Sequence, residues 1–159
     1  MTVSAASNGT SRIAVDAMGG DNAPLEIVKG ALLAIEAYPV EILLVGKQEV
    51  VSETLRSLGA PSPKGIEVVD AREVIEMDDH PIAPLRRKRN SSVRVCANLV
   101  SEGRADAFLS AGNTGATWTS ARAVMGMIEG VSRPALATIV PSVTGHTLFV
   151  DCGYNVMGV

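Results

Sequence analysis

Aromatic side chains are scarce in this sequence: two Phe, two Tyr and one Trp make up 3% of its 159 residues. With an apolar share of 47%, the chain is nonetheless globular, so its core must be built from Val, Ile, Leu, Ala and Met. Cysteine is nearly absent, and Cys96 and Cys152 form no motif, which makes a reducing cytoplasm the natural setting. His80 and His146 are the only histidines, and no carboxylate–His spacing fits a metal site, so neither metal nor cofactor is expected. No apolar run approaches the roughly 18 residues a membrane-spanning helix needs. There is no excess of positive charge either. A net charge of −3 argues against nucleic acid as the main partner. Residues 1–11 lack the basic and apolar regions of a signal peptide and read as a flexible leader before a single α/β domain over residues 12–159.

What is present is an alternation of strand and helix patterns. Ile13 to Val15 is a short apolar run ending at Asp16, and a Gly-rich turn follows it. A helix begins near Pro24, with Leu25, Val28, Leu32 and Ile35 at helical spacing. Glu41 to Val45 reads as a second strand, and Val51, Thr54, Leu55 and Leu58 mark a helix ending before Gly59. Ile66 to Val69 is a third strand. The segment from Ala71 to Asn90 has no clear periodicity, and loops of that length in a compact domain tend to be functional or mobile. Val93, Cys96, Leu99 and Val100 form another helical stripe, and Ala105 to Leu109 a fourth strand. A helix striped by Trp118, Ala121, Met125 and Ile128 is expected to run to Gly130. Ala135 to Val140 and Thr147 to Val150 are two further strands, joined around Thr144-Gly145. Continuous apolar strands separated by helices imply a mostly parallel sheet covered on both faces, which binds ligands at its carboxyl edge.

Three segments fall on that edge. In Asp16-Ala17-Met18-Gly19-Gly20-Asp21-Asn22-Ala23-Pro24, Gly19 and Gly20 let the backbone approach a ligand, and the helix that follows favours an anion. The same residues also suit a plain turn capped by Asp21 or Asn22, and the three-glycine spacing of a dinucleotide site is absent. In Ser110-Ala111-Gly112-Asn113-Thr114-Gly115-Ala116, the backbone N–H groups from Gly112 to Gly115 can cradle a phosphate or a developing oxyanion. Asn113 and Thr114 add side-chain donors. No Gly-Lys-Ser/Thr ending follows, so this is not a nucleotide loop, and an ordinary turn is the alternative. The third segment joins the acidic cluster Glu76-Met77-Asp78-Asp79 beside His80 to the basic run Arg86-Arg87-Lys88-Arg89. It suits either a tuned base with an anion-attracting patch or a solvated loop. Cys96 lies on an apolar helical stripe and reads as a packing residue, so no protein nucleophile is signalled.

Together these stretches resemble the phosphate acyltransferase family of glycerolipid synthesis. The likeness rests on Val15 to Pro24, Glu76 to Asp79, Arg86-Arg87-Lys88 with Ser91-Ser92, Ala105 to Ala116, and Arg133-Pro134-Ala135-Leu136, in that order across residues 12–155. It implies a three-layer α/β/α sandwich similar to isocitrate and isopropylmalate dehydrogenases, without nicotinamide. It also implies transfer of a fatty acyl group from acyl carrier protein to inorganic phosphate, by a cytoplasmic homodimer that touches the inner membrane surface. On this reading Asp16 and Asn113 are the catalytic residues. It makes Gly19, Gly20, Asp21, Arg86, Arg87, Lys88, Gly112, Thr114, Gly115 and Asn155 substrate-binding. The sequence departs from the family at His80, where an acid is usual, and at Tyr154, where a small residue is usual. The family's chains also continue well beyond the matched stretch. Two other readings stand beside this one: a phosphotransacetylase-like enzyme acting on coenzyme A thioesters, and a non-catalytic anion-binding or dimerisation module.

Overall fold

The structure is a computed structural model in which residues 9–79, 87–132 and 134–151 are described. It falls into two units, one up to Met125 and one from Gly126 onward. The first unit holds strands β1 (Ser11–Asp16), β2 (Val40–Gly46), β3 (Ile66–Asp70) and β4 (Ala107–Leu109). It also holds helices α1 (Leu25–Ala37), α2 (Gln48–Ser57), α3 (Ser92–Ser101) and α4 (Thr114–Met125). The strands form one parallel sheet in the order β3-β2-β1-β4. Of the proposed leader, residues 1–8 lie outside the described residues, and Ser11 already pairs with Val40 as the first residue of β1.

The period of two along each strand sorts its side chains onto opposite faces. Val15, Ala17, Ile42 and Leu44 pack with Val28 and Ala31 of α1 and Val51 and Leu55 of α2. Their neighbours Ala14, Leu43 and Val45 pack the other way, with Cys96 and Leu99 of α3. Two apolar cores on one sheet are what make the unit a three-layer α/β/α sandwich, as expected. They also explain why β1 and β2 read as uninterrupted apolar runs. Burying one such Leu or Val side chain contributes about 1.5–3 kcal/mol. In α2, Glu49 in the first turn and Arg56 in the last complement the helix dipole.

Parallel strands joined through helices bring the carboxyl ends of all four strands to one edge. The turn after β1, the start of α2, the turn after β3 and the turn after β4 therefore share a rim. The amino ends lie at the opposite rim, where Arg12 and Asp106 exchange bonds (Arg12 N to Asp106 Oδ2 2.8 Å, Asp106 N to Arg12 O 2.8 Å).

Three expectations need correction. The helix after β4 stops at Met125, not Gly130: Gly126 takes a φ of +78°, which breaks the helical path, and Ile128 beyond it is 81% exposed. Its fully buried residues are Ala116 and Ser120, not the expected Trp118–Ala121 stripe. The last two strands, β5 (Ala137–Ser142) and β6 (Gly145–Val150), form an antiparallel hairpin that is a sheet of its own, not part of the parallel one.

Candidate functional site: two glycine turns on the carboxyl edge

The turn after β1 and the turn after β4 meet. A Cβ built on Gly19 would lie 2.6 Å from Asp16 Oδ2, 2.8 Å from Ser110 Oγ and 2.9 Å from the Gly112 nitrogen. One built on Gly112 would lie 3.0 Å from the Gly19 Cα. Neither position has room for a side chain, because the two backbones touch. Gly20 sits beside Ala111 with a φ of +114°, a conformation natural to glycine.

A hydrogen-bond relay ties the turns together. Gly112 N–H donates to Ser110 Oγ at 3.2 Å, and the Ser110 hydroxyl donates to Asp16 Oδ2 at 2.7 Å. Asp16 Oδ1 accepts from Met18 N–H at 3.1 Å. Asp16 is buried, so its carboxyl group acts here as the joint between turns that are 94 residues apart. It lies near Cys96, whose thiol is pushed well above its ordinary range, first by burial and then by Asp16. Such a thiol stays protonated, which agrees with packing rather than nucleophilic chemistry.

Asn113 closes the site from another side. Its amide nitrogen donates to the carbonyls of Met77 and Asp79, both at 3.1 Å, and more weakly to Glu76 at 3.4 Å. Its Oδ1 accepts from Ala116 N–H at 3.0 Å and so caps α4. The side chain expected to offer a free donor is therefore engaged in clamping the 76–79 segment over the start of α4. Lys88 reinforces that clamp, donating to Val74 O at 2.7 Å and to Asp79 at 2.6 Å. The bond from Lys88, and then the Glu76 N–H, hold the Asp79 carboxyl below its usual range.

Of the residues singled out from sequence, Asp16, Gly19, Gly20, Gly112, Asn113, Thr114 and Gly115 thus come together on the β1/β4 part of the rim. Asp21, Thr114 and Arg87 are exposed, and Lys88 is turned onto the acidic loop instead of onto a ligand position. His80, Arg86 and Asn155 lie outside the described residues. Sequence reasoning missed the role of Ser110, although a small hydroxyl at a strand end just before a glycine turn is the available signal. It also missed a cleft of about 790 Å³ beside α2 and the end of β3, lined by Lys47, Arg56 and Arg72 together with Glu49 and Asp70. Its charges are mixed, however, and Arg72 already pairs with Asp70 at 3.2 Å, so it offers an anion less than its size suggests. Among the described residues no group of His, Cys, Asp and Glu side chains could hold a metal ion, and no helix is long and apolar enough to cross a membrane.

Residues 11–158 match the family described as "Fatty acid synthesis protein". The chain belongs to that family. It is 48% identical over 144 residues to a phosphate acyltransferase of Desulfitobacterium hafniense (strain DSM 10664 / DCB-2), covering 91% of this chain and 42% of that protein. It is 46% identical over 144 residues to the phosphate acyltransferase of Thermotoga maritima, covering 91% of this chain and 41% of that protein. The chain thus spans less than half the length of these curated relatives. Among solved structures, a phosphotransacetylase from Streptococcus pyogenes superposes with a TM-score of 0.67 at 19% identity, over 92% of this chain and 48% of that one. At that identity the likeness speaks for the α/β fold alone.

Proposed function

We propose that this chain is the phosphate-holding part of an enzyme that moves a fatty acyl group from acyl carrier protein to inorganic phosphate, giving an acyl-phosphate for phospholipid synthesis. The observation that carries the reading is the contact between Gly19 and Gly112, which presses two turns together on the rim where α/β sheets bind ligands. The names of the relatives and of the family support the reaction class.

In this reading phosphate lies against the backbone N–H groups leading into α4, at the positive end of the helix dipole. A phosphate oxygen attacks the thioester carbonyl carbon. The new C–O bond forms, the C–S bond breaks, and the carrier's thiolate leaves and takes a proton from solvent. The same amides stabilise the oxyanion that forms on the way. Phosphate is itself the nucleophile, so no acyl-enzyme is required, consistent with a buried, protonated Cys96. Asp16 and Ser110 hold the geometry, and the basic run around Arg87 raises the encounter rate with an acidic carrier. Action as a cytoplasmic homodimer in peripheral contact with the membrane rests on the family resemblance.

The test compares the 159-residue chain with the full-length Desulfitobacterium hafniense relative, using acyl carrier protein and coenzyme A thioesters. The relative should form acyl-phosphate faster from the carrier-bound thioester. The chain should bind phosphate yet turn over little, because a site with one wall leaves the reacting groups in water. Gly112→Val should abolish that binding. Unchanged phosphate affinity in the variant would remove the proposed site, and a preference for coenzyme A would favour a phosphotransacetylase-like reaction.

A further inference from the structure

On the face of the sheet that carries α1, an apolar groove of about 350 Å³ runs between the helix and the edge strand β4. Ile13 and Val15 form its floor, Ile27, Gly30 and Ala34 one wall, and Leu109 the other. Glu26 is its only charged lining residue, and that carboxylate is paired with Lys29 at 2.8 Å. Leu109 is 55% exposed and Tyr38, at the far end, 66%. Among the described residues β4 pairs with β1 alone, so the groove borders an open sheet edge.

A parallel sheet requires helices on both faces. Here α1 and α2 cover β2 and β3 and reach Val15 of β1, while Leu109 of β4 has no covering helix on that face among the described residues. Gly30 stands in the middle of α1, where glycine costs about 0.5–1 kcal/mol relative to alanine. A Cβ built on it meets nothing within 4 Å. The wall is kept low, and no described side chain of the first unit fills the space before it. The relatives from Desulfitobacterium hafniense and Thermotoga maritima carry more than half of their length outside the matched stretch, which is ample polypeptide to fill it.

We infer that the α1–β4 groove is the seat of an amphipathic helix from the part of the polypeptide that the relatives carry outside the matched stretch. The occupant presents an aliphatic stripe to Ile13, Val15 and Leu109, with small or flat side chains over Gly30, since packed helix axes approach to about 8–10 Å. It is uncharged along the contact, because a charge over this floor would have no partner.

The experiment titrates the 159-residue chain with overlapping, fluorescently labelled, helix-length peptides that span the remaining sequence of the Thermotoga maritima relative. Fluorescence anisotropy reports binding. One peptide with an apolar stripe is expected to bind, and Gly30→Leu, which fills the groove, is expected to weaken it at least about tenfold. The melting temperature of the variant should stay at or above that of the parent, because the added side chain enters open space. Leu109→Lys, on the opposite wall, should weaken the same peptide. The inference is overturned if no peptide separates the parent from Gly30→Leu. It is equally overturned if the chain self-associates through the groove, with Gly30→Leu abolishing the dimer and leaving peptides unaffected, or if a long-chain fatty acid occupies the groove and no peptide does.

Discussion

The two units of this chain use apolar residues in opposite ways. In the first, alternate residues of β1 and β2 disappear into two cores, and Leu43, Leu44 and Val45 are all but inaccessible. In the hairpin of the second, Ile139, Leu148, Phe149 and Val150 are all more than half exposed. Both regions have complete backbone pairing between their strands. The difference shows that strand pairing and apolar content do not by themselves make a core; a covering layer does.

Substitutions should expose that contrast directly. Leu44→Ala removes a side chain with no exposed surface and should cost about 2–5 kcal/mol in chemical denaturation. Leu148→Ala in the hairpin should stay within about 0.5 kcal/mol of the parent. Equal costs at the two positions would mean that the hairpin is packed as tightly as the sheet.

A second pair of substitutions carries the contrast down to single glycines. Gly19→Ala must push Asp16, Ser110 or the Gly112 backbone aside and should destabilise by about 1–3 kcal/mol, with loss of phosphate binding. Gly30→Ala meets nothing and should stabilise by about 0.5–1 kcal/mol. Thermal melts of the two variants decide, and a shift of the same sign in both would contradict the geometry.

Much of this was legible in the sequence, and the reasons for success and failure are physical. Strands β1 and β2 announce themselves because strands covered on both faces are apolar throughout. In the sequence the helix after β4 reads too long because Ile128 continues the helical spacing, while Gly126, which ends it, is a single residue that helices can also tolerate. Gly19 and Gly112 were recognisable as turn formers, but not as neighbours, since the relay from Gly112 through Ser110 to Asp16 bridges 94 residues. Asn113 looked like a free donor because nothing local reveals that its amide reaches carbonyls 34 to 37 positions away.

The clamp on the 76–79 segment gives the smallest and most conditional effect. Asp79 has a folded pKa lowered chiefly by Lys88. The stabilisation it provides is therefore present above the unfolded carboxylate value, about 3.9, and is lost as pH falls through the lower folded value. Amide exchange in residues 76–79 should stay slow down to roughly pH 4 and quicken below it. Lys88→Met should quicken it already at neutral pH. Opening well above the carboxylate range in the parent chain would show that another group holds the segment.

Inorganic phosphate is expected in the paired glycine turns and not in the cleft beside α2. Amide chemical-shift mapping of the 159-residue chain during titration with inorganic phosphate tests it most directly. Saturable shifts are expected at Gly19, Gly20, Gly112, Thr114 and Gly115, absent in Gly112→Val. Shifts centred on Lys47, Gln48 and Arg72, with the glycine turns silent, would contradict it.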